Sequence, residues 1–193
     1  MPAEKRNRYL TNGLLEAERL ERGLHNVLTA AGLRSAGKAM RPSLGNLADE
    51  VRQAVEAMQA RALAAEVELQ VNAPDTVMIE RDAAALQLVL RNLIDNAVKF
   101  SPSGTTVHVL ATSTDHEARV TVRDSGRGLD DSELQHAFEP FFRGDDTASG
   151  GTGLGLHLVH EMVLAHGGSA TAESEGRDRG SAFTVRLPIS RKA

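Results

Sequence analysis

The chain contains no cysteine and no tryptophan, one tyrosine and five phenylalanines among 193 residues. Without cysteine there can be no disulfide and no thiolate metal site, which fits a reducing compartment. So few aromatics leave the core to be built from aliphatic side chains. No apolar run approaches the ~20 residues that cross a bilayer as a helix, and residues 1–12 lack the apolar centre of a secretory leader. Long basic runs are missing too, and the formal net charge of -4 gives no footprint for nucleic acid or a membrane surface. What is present is an ordinary apolar share of 41%, on a chain long enough for one sizeable core and an appendage.

The strongest periodicity lies in residues 86–100. Leu86, Val89, Leu90, Leu93, Ala97 and Phe100 recur at three- and four-residue steps, which predicts a core helix with Asp82 as its cap. Asn92 and Asn96 are one turn apart and Lys99 follows three residues on, so all three project from neighbouring rows. Carboxamide oxygens can bind Mg²⁺ and an ammonium can balance phosphate. A Mg-nucleotide over this face would account for the set, as would a solvated polar face.

Elsewhere, Leu10, Leu14, Ala17, Leu24, Leu28 and Ala31 predict a helix over residues 11–31, whose stripe packs either on the chain's own core or on another helix. Residues 34–43 read as a linker. Ser43 is the expected N-cap of a helix from Leu44 to about Ala64. Short strands are expected at Val67, Leu69 and Val71 and at Val77 and Ile79, then a hairpin over residues 105–112 and 118–123. Residues 129–152 show little periodicity and read as a long functional loop. A second core helix over 154–165, stopped by Gly167, leads to strands at 169–174 and 182–187, with Pro188 closing the sheet edge. The order implies an α+β fold: a two-layer α/β sandwich, its mixed, mainly antiparallel sheet carrying helices on one face, preceded by one long helix.

Two glycine-bearing segments and a phenylalanine-rich one between them carry the chemistry. Asp124 ends a strand and is followed by Gly126 and Gly128, which allow a sharp turn and close approach of a flat ligand. Phe138, Phe141 and Phe142 precede Arg143, a cation suited to a terminal phosphate. Gly151, Gly153 and Gly155 open a helix, where bare N–H groups can face an anion. In this order the segments resemble the catalytic and ATP-binding domain of sensor histidine kinases, on the fold shared with gyrase, the mismatch-repair ATPases and the ninety-kilodalton chaperones. The match covers roughly residues 42–189.

The resemblance implies that Asp124 reads the adenine amino group and Asn96 holds Mg²⁺, with Asn92 and Lys99 completing a catalytic set. Phe100, Gly126, Gly128 and Arg143 would contact ATP. Gly151, Thr152, Gly153, Leu154 and Gly155 would end an ATP lid over about 129–152. Relatives that hydrolyse ATP carry glutamate four residues before the Mg-binding asparagine; here Asn92 stands there and is no base. Slow hydrolysis and phosphoryl transfer to a protein acceptor are therefore expected. The family's acceptor histidine has no match before Leu44. His25 lacks its context, and His160 sits inside a core helix.

Residues 1–33 are similar to the end of a dimerisation domain, 34–43 to its linker, and 44–193 to the catalytic domain. Implied partners are a dimerisation domain carrying the acceptor histidine, a response regulator, and a second copy through the 11–31 helix; nucleic acid and membrane contact are not expected. The implied location is cytoplasmic, on a parent that can be anchored to the inner membrane. Two other readings share the nucleotide site: an ATP-gated interaction module without transfer, and a serine kinase of the anti-sigma type.

Overall fold

In the computed structural model the described residues are 40–144 and 152–189. The helix expected over 11–31, its pairing with a second copy, and the domain boundary at 33 lie outside them.

The first element differs from expectation. Ser43–Asn46 is a strand, β1, antiparallel to β3 (Met78–Arg81). Helix α1 starts only at Leu47 and runs to Ala64, capped by Asn46 and not by Ser43. The cause is the reach of one carboxamide. Asn46 Oδ1 accepts the N–H of Ala48 at 3.2 Å and of Val77 at 2.8 Å, and its amide donates to the Asp75 carbonyl at 3.0 Å. Asn46 therefore caps the helix and fixes the turn before β3 together, which a serine hydroxyl could not do.

Helix α2 (Ala83–Phe100) follows, with Leu90, Leu93, Ile94 and Ala97 wholly buried. The expected cap is there: Asp82 accepts the Ala85 N–H at 3.1 Å. It also accepts the Arg41 N–H at 3.0 Å, which pins the incoming chain to the start of α2. The N–H of Asp82 itself donates to Nε2 of His166 at 3.1 Å, and His166 Nδ1 lies 2.7 Å from the Met162 carbonyl. Since Nε2 accepts, the ring proton belongs on Nδ1.

Strands β2 (Glu68–Asn72), β4 (Thr106–Ser113), β5 (Glu117–Arg123), β6 (Ser169–Glu173) and β7 (Ala182–Pro188) form one sheet in the order β2-β4-β5-β7-β6. Only β2 and β4 run parallel, so the sheet is mixed and mainly antiparallel. Val107, Val109, Val120, Val122, Val185 and Leu187 alternate onto one buried face. Helices α1, α2 and α4 (Gly155–Ala165) pack there, giving the expected two-layer sandwich. Two details differ. Strand β7 lies inside the sheet, so Pro188 closes no edge; it ends the strand opposite Glu117, past the end of β6. The segment read as loop contains helix α3 (Asp131–His136), nucleated by a reciprocal capping box between Asp130 and Glu133.

The N–H of Arg41 first, and those of Ala85 and Ala84 as well, hold the Asp82 carboxyl below the usual carboxylate range. A lowered folded pKa stabilises the fold above the unfolded value, and that contribution fades as pH falls through the folded one. We expect Asp82→Ala to cost about 1 kcal/mol at neutral pH. In urea titrations the gap to wild type should narrow as the solution is acidified.

Candidate functional site

Strand β5 delivers Asp124 into a buried corner, 5% exposed. A carboxylate there needs donors, and the local chain supplies them. Its Oδ1 accepts the N–H of Gly126 at 2.8 Å and of Ser181 at 3.2 Å; its Oδ2 accepts the Ser181 hydroxyl at 2.6 Å. The Asp124 N–H returns a bond to the Ser181 carbonyl at 2.9 Å. Two oxygens offer about four acceptor sites, so Oδ2 retains capacity for one more donor.

Beside this corner ends α2. A Cβ on Gly126 would collide with the carbonyl of Phe100, so only glycine lets the loop lie against the helix end. Gly128 adopts φ 66° with its backbone against Gly176. The Phe100 ring sits under two cations: Lys99 Nζ is 4.6 Å and the Arg127 guanidinium 5.2 Å from its centroid.

Asn92, Asn96 and Lys99 all lie on α2 and are half-buried. Asn92 is turned to the helix: its amide donates to the Leu88 carbonyl at 2.8 Å. Its Oδ1 stands 2.9 Å from where a Cβ on Gly155 would be, so α4 begins against α2 through a glycine. The Asn96 side chain hydrogen-bonds to none of the described residues, leaving its carboxamide available to a ligand.

Helix α4 starts with no side-chain cap; Leu154, the residue before it, is buried. Its first N–H groups are thus open to an anion. The Leu154 N–H reaches the Thr152 hydroxyl at 3.4 Å. Gly153 (φ 70°) accepts the N–H of Phe141 at 3.0 Å, so the Phe-Glu-Pro-Phe-Phe-Arg segment and the glycine segment are tied together. Phe138 packs edge-on against Phe183 at 6.3 Å and anchors that segment to the core, whereas Phe141 is exposed. Arg143 is exposed at the end of the segment, and Gly151 lies outside the described residues.

Ser181, Arg127 and Glu133 escape the sequence reading of the site. Ser181 lies 57 residues from Asp124 and carries no local signal. Glu133 is legible as the far half of an Asp-x-x-Glu box. Buried, it bonds the Arg127 guanidinium at 2.9 Å and faces that of Arg177 at 3.2 Å. Among the described residues no group of three or more His, Cys, Asp or Glu could hold a metal.

Residues 81–191, more than half of the chain, match the family of histidine kinase-, DNA gyrase B-, and HSP90-like ATPases. The sensor-like histidine kinase SenX3 of Mycobacterium tuberculosis is 29% identical over 189 residues, 96% of this chain and 46% of its own length. For the signal transduction histidine-protein kinase BaeS of Escherichia coli the figures are 34% over 128 residues, 65% and 27%. The chain thus spans less than half of these relatives. Among solved structures, a mycobacterial sensor histidine kinase MprB superposes with TM-score 0.68 at 28% identity, over 76% of this chain and 97% of that one. Full-length ShkA in complex with AMPPNP gives 0.82 at 28% identity, over all of this chain and 41% of that one.

Removing the Ser181 hydroxyl leaves a buried carboxylate oxygen short of a donor. Ser181→Ala should cost about 1–2 kcal/mol in urea denaturation, against less than about 0.5 kcal/mol for exposed Thr112→Ala.

Proposed function

The chain belongs to the histidine kinase-, DNA gyrase B-, and HSP90-like ATPase family, and from that premise we propose that it is the ATP-binding, catalytic part of a two-component sensor histidine kinase, passing the γ-phosphoryl group to a histidine on a dimerisation domain. The observation that carries the reading is Asp124: buried, held by Gly126 and Ser181, with acceptor capacity left beside the end of the asparagine helix.

In this reading Oδ2 of Asp124 accepts the adenine amino group. Gly126 and Gly128 give the base room, and Phe100 lines the pocket under Lys99 and Arg127. The phosphates run toward Lys99, Arg143 and the start of α4, whose first backbone N–H groups have no side-chain cap. Asn96, whose carboxamide has no partner among the described residues, would hold Mg²⁺ through its oxygen, with phosphate oxygens and water as its other ligands, since no cluster of three or more His, Cys, Asp or Glu occurs among those residues. Bound there, Mg²⁺ would neutralise phosphate charge.

Transfer breaks the bond between the γ-phosphorus and its bridging oxygen, forms one to an imidazole nitrogen, and leaves ADP with the electron pair. Positioning and charge neutralisation suffice for this. Asn92 offers no proton acceptor and is engaged with Leu88, so water is not activated and hydrolysis is slow. The acceptor comes from a dimerisation helix, since no histidine of this sequence has the family's acceptor context. A response regulator then receives the phosphoryl group. Among the described residues no helix is long and apolar enough to cross a membrane; we place this part in the cytoplasm, on a parent that can be membrane-anchored. A serine kinase of the anti-sigma type and a transfer-silent ATP module are disfavoured by relatives named as histidine kinases.

Incubating the chain with radiolabelled Mg-ATP and a separately supplied acceptor helix should label that helix and not the chain. Asn96→Ala should slow labelling by about 100-fold, with the fold intact by circular dichroism. Label on a histidine of this chain, or none on the helix, would overturn the assignment.

A further inference from the structure

The sheet face turned away from the helices carries a charge arrangement that nucleotide chemistry does not use. On β5, Arg119 and Arg123 point to this open side, alternating with buried Val120 and Val122. Register places Arg119 directly opposite Arg186 of β7, and Arg123 opposite His108 of β4. Like charges on one rung repel and destabilise the pairing. A single carboxylate serves the first rung: Glu117 Oε1 lies 3.0 Å from Arg119 Nη2 and 3.7 Å from Arg186 Nε. The Arg123 guanidinium has neither an ion pair nor a hydrogen bond among the described residues. All this sits on a chain whose net charge is -4.

Between the two cationic rungs runs a groove of about 290 Å³. Its floor is Leu110 and the hydroxyls of Thr121 and Thr184, which hydrogen-bond each other at 3.0 Å and so present little unmet polarity. Glu173, beyond Ala182 on the Arg123 rung, is the one carboxylate of its lining among the described residues, against Arg119, Arg123 and Arg186. Cations at the ends with an apolar floor between them match a ligand with separated anionic groups on aliphatic stems. We propose that this open face docks an acidic segment of a protein partner, its glutamate or aspartate carboxylates engaging Arg119 with Arg186 at one end and Arg123 at the other.

Several occupants fit less well. Arg119 and Arg123 are four residues apart on one strand, about 13 Å between Cα atoms, too far for one phosphate to engage both. A second copy bringing the same face would meet its own charge sign. Nucleic acid asks for aromatic stacking platforms and a longer track of cations, and among the described residues this groove is lined by no phenylalanine, tyrosine or tryptophan. The surface lies opposite the helical layer, so its occupancy is independent of the nucleotide reading.

The test is a ¹⁵N NMR titration of the chain with a short polyglutamate peptide, beside inorganic phosphate and a short thymidine oligonucleotide. Expected are amide shifts confined to β4, β5, β6 and β7, an affinity that weakens with salt, and loss of about tenfold or more in R119E/R123E. The milder R119Q/R123Q pair should weaken binding in the same direction. Both pairs alter exposed charges, so Mg-ATP binding should persist. No shifts with the peptide, equal shifts with phosphate or the oligonucleotide, shifts centred on Asp124, or unchanged affinity in both variants would each overturn the proposal.

Discussion

A carboxylate taken out of water must be given back its hydrogen bonds, and in this chain that requirement falls on Asp124. Left unpaired, a buried charge costs several kcal/mol, enough to threaten a domain of this size. The donors come from two places: the turn two residues on, and Ser181 at the entry to β7. The second is available only because β7 lies beside β5, with Arg123 opposite Ala182. Strand order and site chemistry are thus one constraint. Any rearrangement of the sheet that separates β5 from β7 strands the carboxylate.

Helix α2 is held at its start by hydrogen bonds and at its finish by a close backbone approach. At its start, Asp82 gathers the N–H groups of Ala85 and Arg41 and lends its own to His166, joining entry segment, α2 and the end of α4. At its finish, the Phe100 carbonyl lies against Gly126, too close for any side chain. Between these anchors the buried row of leucines fixes the rotation of the helix, which decides where Asn92, Asn96 and Lys99 point. The aliphatic core therefore does not simply fill space. It sets the face of α2 on which the half-buried Asn92, Asn96 and Lys99 lie.

Much of this was legible in the residues. Periods of 3.6 and 2 marked α2, α4 and the β4–β5 hairpin, because those elements bury one face against a continuous core. The glycine segments were legible because close approach leaves no room for a Cβ. What escaped was long-range. Nothing near Ser43 reveals that Asn46 will bond Val77 and start the helix later, and a four-residue strand pairing with β3 looks the same as a helix lead-in. The parallel pairing of β2 with β4 and the burial of β7 inside the sheet are topological facts without a local code. No sequence pattern singled out Arg119, Arg123 or Arg186; only register shows that Arg119 and Arg186 share a rung. The periodicity put Asn92 on a helix, as the structure has it, but its bond to the Leu88 carbonyl depends on the side-chain rotamer, which no sequence pattern carries.

If Asp124 reads the exocyclic amine of adenine, a purine triphosphate with oxygen in that position should be rejected, because two acceptors would then face each other in a buried corner. The direct measurement is a calorimetric comparison of ATP and inosine triphosphate, both with Mg²⁺, on the unmodified chain. ATP is expected to bind at least about tenfold more tightly, with the difference abolished in Asp124→Ala. Equal affinity for the two nucleotides, or a preference for ATP that survives the substitution, would contradict the role given to this carboxylate.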